Sequence, residues 1–314
     1  MKVLVTGSSG FLGSRFVIHA REEGISVRQV ARAGSSASEN FFYVNSIDEE
    51  TDWSGAFIGV DCIVHCAARV HQMTKSEVES LDVYREVNTR GTMNLARQAV
   101  KAGVKRFVFI SSIKVNGEFT EPGQQFKPDL ANTPDGPYGL SKYEAEVQLG
   151  ELSREAGLEV VIIRPPLVYG PGVKANFLSM IRWMEKGIPL PLGAIYNLRS
   201  LVYIDNLVDL MLMCCRHPKA VGETFLVSDD NDLSTTQLLS TVAAAMGKSS
   251  RLLPIPMSLI SFSANLIGMP EISRRLCGSL QVDISHTKNT LAWVPPVTFE
   301  EGIKKTVQAY LDSK

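Results

Sequence analysis

Short apolar runs alternate with longer stretches of helical periodicity through the first half of the chain. Val3 to Thr6 is a β-rich run, Phe11 to Glu23 carries apolar residues at helical spacing, and Val27 to Ala31 is extended again. Cys62 to Cys66, Phe107 to Ser111 and Val160 to Arg164 read as further buried strands. Between them lie helical patterns from about Ser76 to Ala102 and from Tyr138 to Ala156. Strands that are apolar throughout and alternate with helices predict a parallel sheet covered on both faces. The expected fold is α/β, a Rossmann-like doubly wound parallel sheet with a smaller C-terminal substrate-binding lobe.

After Arg164 the rhythm breaks at Pro165-Pro166, Gly170-Pro171-Gly172, Pro189 and Pro191. Phe225 to Ser228 still reads as a strand, and Gln237–Met246, Met257–Leu266 and Glu301–Leu311 as helices. The division expected is a nucleotide-binding domain over residues 1–165 and a mainly helical lobe over 166–314, with some strands shared. The apolar segment Met257 to Gly268 suits burial in that lobe better than a membrane surface.

Charge narrows the partners. With 32 Lys plus Arg against 33 Asp plus Glu, nothing favours nucleic acid over a small molecule. No basic-then-apolar leader follows Met1 and no apolar run is long enough to span a bilayer, so the chain is expected to be cytoplasmic. The five cysteines (Cys62, Cys66, Cys214, Cys215 and Cys277) lack zinc-ligand spacing. They are expected to be reduced, with no metal site.

Two separated motifs carry the chemistry. The first strand runs into Gly7-Ser8-Ser9-Gly10-Phe11-Leu12-Gly13. Three glycines at this spacing allow a tight turn, close approach of a pyrophosphate to backbone amides, and helix–strand contact. A dinucleotide is therefore expected, with Gly7, Ser9, Gly10, Phe11, Leu12 and Gly13 against it. At the end of the second strand a carboxylate would grip the ribose diol; Val30-Ala31-Arg32 stands there instead. A guanidinium suits a 2′-phosphate, so the cofactor is expected to be NAD(P) with a lean to NADP. The second motif pairs Ser111-Ser112 with Tyr138-Gly-Leu-Ser-Lys142. Tyr138 and Lys142 lie one helical turn apart, where the ammonium lowers the phenol's pKa, and Ser112 can polarise a substrate oxygen.

With Thr6-Gly7-Ser-Ser-Gly10-Phe-Leu-Gly13, His65-Cys-Ala67-Ala68, Asn88-Thr-Arg-Gly91-Thr92, Ser111-Ser112, Pro137-Tyr138-Gly-Leu-Ser-Lys142 and Arg164-Pro-Pro-Leu-Val-Tyr169-Gly170-Pro171, the whole chain resembles an extended short-chain dehydrogenase/reductase of the nucleotide-sugar epimerase/dehydratase group. The resemblance implies Tyr138 as acid/base, Lys142 as its helper and ribose anchor, and Ser112 as partner of the substrate oxygen. It adds Ser46, Ile47, Ala67, Ala68 and Asn88 to the cofactor-binding set. It places Asn176 and Arg199 on the diphosphate or sugar of a UDP-sugar, with Lys114 and His71 as further substrate candidates; a solvated loop role is open for His71. It implies a homodimer through paired helices.

Departures from the pattern discriminate between reactions. Sugar 4,6-dehydratases of this group carry Asp-Glu after the active-site hydroxyl, where this chain has Ile113-Lys114, so dehydration is not expected. Hydride transfer at carbon 4 of a nucleotide-activated hexose remains. A 4-epimerase acting on UDP-glucose or a UDP-N-acetylhexosamine is placed ahead of an NADPH-dependent 4-ketoreductase. Gly278-Ser279 stands where related enzymes make room for an N-acetyl group. A non-sugar ketone reductase and a non-catalytic dinucleotide-binding protein are the remaining alternatives.

Overall fold

The structure is a computed structural model that describes residues 1–32, 40–70, 81–130, 133–266, 274 and 276–314. Its centre is a seven-stranded parallel sheet. The strands are β1 (Lys2–Thr6), β2 (Ser26–Arg32), β3 (Phe41–Val44), β4 (Cys62–His65), β5 (Arg106–Ile110), β6 (Glu159–Arg164) and β9 (Thr224–Leu226), in the order β3-β2-β1-β4-β5-β6-β9. A second, two-stranded parallel sheet joins β7 (Leu167–Tyr169) to β8 (Leu201–Tyr203), with Val168 opposite Val202.

Period-two alternation within the apolar strands builds two separate cores. Val3 and Val5, Cys62 and Val64, Val108 and Ile110, and Val161 and Ile163 face one way. They pack with Phe16, Val17 and Ala20 of α1 (Phe11–Glu22) and Leu207, Val208 and Met211 of α6 (Ile204–Cys214). Leu4, Ile63, Phe107, Phe109 and Val160 face the other way. Their partners include Leu95, Ala96 and Ala99 of α3 (Thr92–Lys101) and Ala145 and Leu149 of α4 (Pro137–Ala156). Both layers are needed, because a strand apolar on both faces must be covered twice.

The long helical pattern expected from Ser76 is described from Leu81. It runs through α2 (Leu81–Arg85), a π-helical turn over Glu86–Gly91, and α3. The C-terminal part adds α5 (Ala175–Lys186), α7 (Thr235–Ala245), α8 (Met257–Leu266), α9 (Ser285–Leu291) and α10 (Phe299–Asp312). Helix α7 starts with a capping box, in which Gln237 N–H donates to Ser234 Oγ at 3.0 Å and Ser234 N–H donates to Gln237 Oε1 at 2.8 Å. Helix α8 is only half covered: Met257 and Ile260 pack on the core, whereas Leu259, Phe262 and Leu266 are exposed.

Periodicity does not single out β3, β7 or β8, which are four residues or shorter. Strand β9 leaves the C-terminal half to close the edge of the main sheet beside β6, with Phe225 opposite Ile163. All five cysteines are free thiols. Among the described residues no helix is long and apolar enough to cross a membrane, and no group of side chains is arranged to hold a metal ion.

Candidate active site

The chain moves outward from β1 to β2 and β3, then returns to place β4 on the other side of β1. That reversal opens a crevice at the carboxyl ends of β1 and β4, the usual ligand position in such a sheet. The glycine turn lies there. Gly7 has φ +65°, and a Cβ on it would meet the Ala67 amide nitrogen at 2.8 Å, so the turn after β1 presses on the loop after β4. Gly10 N–H donates to the Gly7 carbonyl at 2.9 Å and caps α1. A Cβ on Gly13 would stand 2.2 Å from that carbonyl. The sequence therefore folds into a tight glycine cradle ending in a helix N-terminus. No side chain caps that terminus, and its first turn carries no acid. These are the features a pyrophosphate requires, and the residues fit a dinucleotide.

Beneath the cradle is a neutral network that only the fold assembles. His65, fully buried, bridges Thr6 Oγ1 (2.7 Å from Nδ1) and Thr92 Oγ1 (2.9 Å from Nε2). Ala67 N–H donates to Thr6 Oγ1 at 3.3 Å. Burial, reinforced by the charge of Lys142, pushes the imidazole down to about 3. Asn88, in the π-helical turn, joins the loop after β4 to helix α4. Its amide donates to Arg69 O and to Ser141 Oγ, both at 3.0 Å, and its Oδ1 accepts from Arg69 N–H at 2.8 Å. Asn88 thus ties the loop that carries Ala67 and Ala68 to helix α4. Thr89 Oγ1 adds a bond of 2.8 Å to Ser141 O.

Ser112 follows β5 and caps a short 3₁₀ turn over Ile113–Val115, where its Oγ accepts from Lys114 N–H at 3.2 Å. Tyr138 is in the first turn of α4, which Pro137 initiates. Ser112 lies close enough to the Tyr138 phenol to oppose the rise of its pKa, and Tyr84 lies edge-on to the phenol with ring centroids 6.1 Å apart. Burial pushes the phenol up to about 12, against the pull of Ser112. The spacing in the sequence predicts a lowered value from Lys142; in the protein alone, desolvation sets the direction instead. Lys142 is 1% exposed, its Nζ donating to Ile110 O at 2.8 Å over the ring of Phe109. Burial brings this ammonium down to about 8, and the charge of Glu146 opposes the fall.

Residues expected around the adenosine and the sugar nucleotide are spread more widely. Ser46 is exposed and its hydroxyl is bonded to Asp48, while the Ile47 carbonyl lies where a Cβ on Gly91 would approach to 2.7 Å. Asn176 is exposed in the first turn of α5, next to Ala175 at φ +52°. Arg199 is anchored by its backbone between Leu233 and Leu280, and its guanidinium donates to Gly278 O at 3.3 Å. Burial lowers the Arg199 pKa. Lys114 forms an exposed ion pair of 2.7 Å with Glu118, and His71 lies outside the described residues. Gly278 is small for a local reason: a Cβ there would sit 2.5 Å from both the Arg274 carbonyl and the Phe119 ring.

Sequence reasoning quoted Thr6 and Ser111 within motifs without a role of their own, and missed Glu146 and Asn197. Glu146 had a signal, since it follows Lys142 by one more helical turn. Asn197 had none: its amide reaches Gly278 O at 2.8 Å and its Oδ1 accepts from Thr235 N–H at 2.9 Å.

Residues 3–228 match the NAD dependent epimerase/dehydratase family. The chain belongs to this family. This epimerase/dehydratase-family protein is 50% identical over 314 residues to the UDP-glucose 4-epimerase of Vibrio cholerae, with 99% of this chain and 96% of the relative covered. The UDP-glucose 4-epimerase of Thermotoga maritima, solved with UDP-glucose, is 26% identical with a TM-score of 0.75 over 100% of this chain and 99% of that one. The NAD complex of UDP-glucose 4-epimerase from Thermus thermophilus is 25% identical, with a TM-score of 0.77 over 100% of both chains.

The lean to NADP finds no support in these relatives. The family is NAD dependent and the Thermus structure contains NAD. Arg32 is exposed at the last position of β2 and already engaged in a contact of its own. Losing the ribose-binding carboxylate does not by itself make a phosphate site.

Proposed function

We propose that this protein is an NAD-dependent UDP-sugar 4-epimerase that interconverts UDP-glucose and UDP-galactose. The observation that carries the proposal is the convergence of Ser112, after β5, and Tyr138, in the first turn of α4, with buried Lys142 one turn further along that helix. The full-length similarity to the Vibrio enzyme supports the choice of sugar nucleotide. Ile113, 4% exposed, and Lys114, paired with Glu118, offer no acid for elimination of water.

In this reading Ser112 donates to the oxygen on carbon 4 and orients it. Tyr138 removes the hydroxyl proton from that oxygen and later returns one after the sugar has presented its other face. Lys142 holds the nicotinamide ribose and favours the phenolate. When bound, NAD would supply the acceptor and then the donor of the hydride. Gly7, Ser9, Gly10, Phe11, Leu12 and Gly13 would hold the pyrophosphate, with Arg32, Ser46, Ile47, Ala67, Ala68 and Asn88 along the rest of the dinucleotide. Asn176 and Arg199 would hold the UDP diphosphate, and Lys114 and His71 would lie toward the sugar. The proposal includes residues 166–314 as the sugar-nucleotide lobe, a homodimer through the α2–α3 segment and α4, and residence in the cytoplasm.

The test has two parts. Denaturing the purified protein should release near-stoichiometric NAD, and the native protein should interconvert UDP-glucose and UDP-galactose without added cofactor. Tyr138→Phe should retain NAD and UDP binding but lose activity by about 100-fold or more. Release of NADP, or consumption of NADPH with a 4-keto sugar, would replace this reading by the ketoreductase.

A further inference from the structure

The structure assigns Glu146 as a positioning residue that keeps the buried Lys142 ammonium charged, with Arg164 and Ser111 as the clamp on its carboxylate. The assignment deepens the proposed function, since it concerns the proposed helper of Tyr138.

Lys142 is enclosed by groups that cannot balance a charge. Its Nζ donates to a backbone carbonyl and lies 4.3 Å from the centroid of Phe109. An ammonium so placed is prone to lose its proton. The titratable groups that face it are few. His65 on β4 is kept neutral, and the Cys66 thiol just beyond β4 is pushed up to about 12 by burial. Tyr138 on α4 stands as a phenol, and Asn88 and Thr89 of the π-helical turn are uncharged. Glu146 supplies the opposing negative charge from the same helix, one turn beyond Lys142.

The carboxylate of Glu146 is itself 6% exposed and needs fixing. Arg164, on β6, donates to it from Nε at 3.0 Å and from Nη2 at 2.5 Å, and Ser111 Oγ donates as well. Arg164 Nη1 also donates to Pro128 O at 2.8 Å and to Asn116 Oδ1 at 3.1 Å. The clamp therefore joins the ends of β5 and β6 to α4. It lies directly behind the turn that carries Ser112, where Ile113 N–H donates to Pro165 O at 3.0 Å. Ser111 precedes Ser112 and Glu146 follows Lys142, so one ion pair serves both sides of the site. A purely structural pair would need Arg164 and Ser111 but would leave Lys142 unaffected.

The substitution Glu146→Gln keeps the shape and removes the charge. The direct readout is the titration of Lys142 by carbon-13 NMR of lysines labelled at Cε, the resonance being assigned by its loss in Lys142→Arg. Wild-type Lys142 should titrate near 8, and Glu146→Gln should move the midpoint down by about one unit or more. Glu146→Asp, which keeps the charge, should restore most of the shift. In parallel, the alkaline limb of kcat/KM should move to lower pH in Glu146→Gln, because the charged ammonium is lost earlier. If Glu146→Gln does not fold, the double variant with Arg164→Gln removes the pair as a whole, and a smaller downward shift is expected, because loss of the more distant guanidinium charge offsets part of the loss of the carboxylate. An unmoved Lys142 midpoint in whichever variant folds would overturn the assignment, even with activity reduced. A moved midpoint in a protein that does not turn over UDP-glucose would instead sustain the assignment and defeat the proposed function.

Discussion

At the scale of the residue, environment overrides the intrinsic chemistry of the side chain. Tyr138 beside a lysine invites the expectation of an acidified phenol, yet burial holds it up at about 12. His65 is the more extreme case, held neutral between two threonine hydroxyls. An unfolded histidine takes up a proton below about pH 6.5, whereas the folded one declines it until about 3. Over that interval the unfolded state binds more protons, so stability is fully present above it and falls as the pH drops. Between pH 6.5 and 5 this one group should remove about 2 kcal/mol, as read by urea unfolding at several pH values. In His65→Gln, which can still hydrogen-bond but does not titrate, that part of the slope should vanish. The histidine itself was visible in the run Cys62-Ile-Val-His65-Cys66. Its partners were not, because Thr6 and Thr92 are 59 and 27 residues away.

At the scale of the element, the β1–α1 turn shows how local sequence can prescribe a site. The three glycines are distinguishable by what a methyl group would meet. At Gly13 a Cβ would strike the Gly7 carbonyl, which is backbone and has nowhere to go. Gly13→Ala should cost about 1–3 kcal/mol, the usual range for overpacking, and lower NAD affinity with it. At Gly10 the nearest atom is the same carbonyl at 3.1 Å, and the residue has φ −79°. Gly10→Ala should therefore change the melting temperature little while weakening NAD binding by crowding the open side of the cradle. Thermal melts paired with NAD titrations separate the two effects; equal loss of stability in both variants would contradict this account of the turn. Helix α4 was equally legible, since Pro137 starts it and Tyr138, Lys142 and Glu146 recur on one face. The π-helical turn over Glu86–Gly91 was not. It places Asn88 against Arg69 and Ser141, neither of which is its sequence neighbour.

At the scale of the whole molecule, one carboxylate ties the C-terminal elements together. Asp229, just after β9, accepts from Tyr169 Oη of β7 at 2.7 Å, from Tyr203 N–H of β8 at 2.8 Å and from Asn206 Nδ2 of α6 at 2.7 Å. Asn206 in turn exchanges hydrogen bonds with the backbone of Val297, ahead of α10. Burial raises the Asp229 pKa, while these donors hold it down. Asp229→Ala would leave several buried donors without acceptors and should cost about 3 kcal/mol or more in urea unfolding. Asp229→Asn keeps an oxygen toward Tyr203 N–H and Asn206 Nδ2 and should cost distinctly less. Similar losses in the two variants would mean that the carboxylate does not organise this region.

The alternation of apolar strands and helices, the glycine spacing after β1 and the spacing of Tyr138 and Lys142 are local patterns. Backbone geometry converts them into local structure, and the sequence by itself determined the doubly wound sheet and the core of the candidate site. Tertiary structure decided the return of β9 to the sheet edge, the pairing of β7 with β8, the neutral state of His65 and the clamp on Glu146. It also decided that the Tyr138 phenol is raised rather than lowered. Those outcomes depend on which distant groups share one desolvated volume, and an ionisable side chain responds to that volume far more strongly than to its neighbours along the chain.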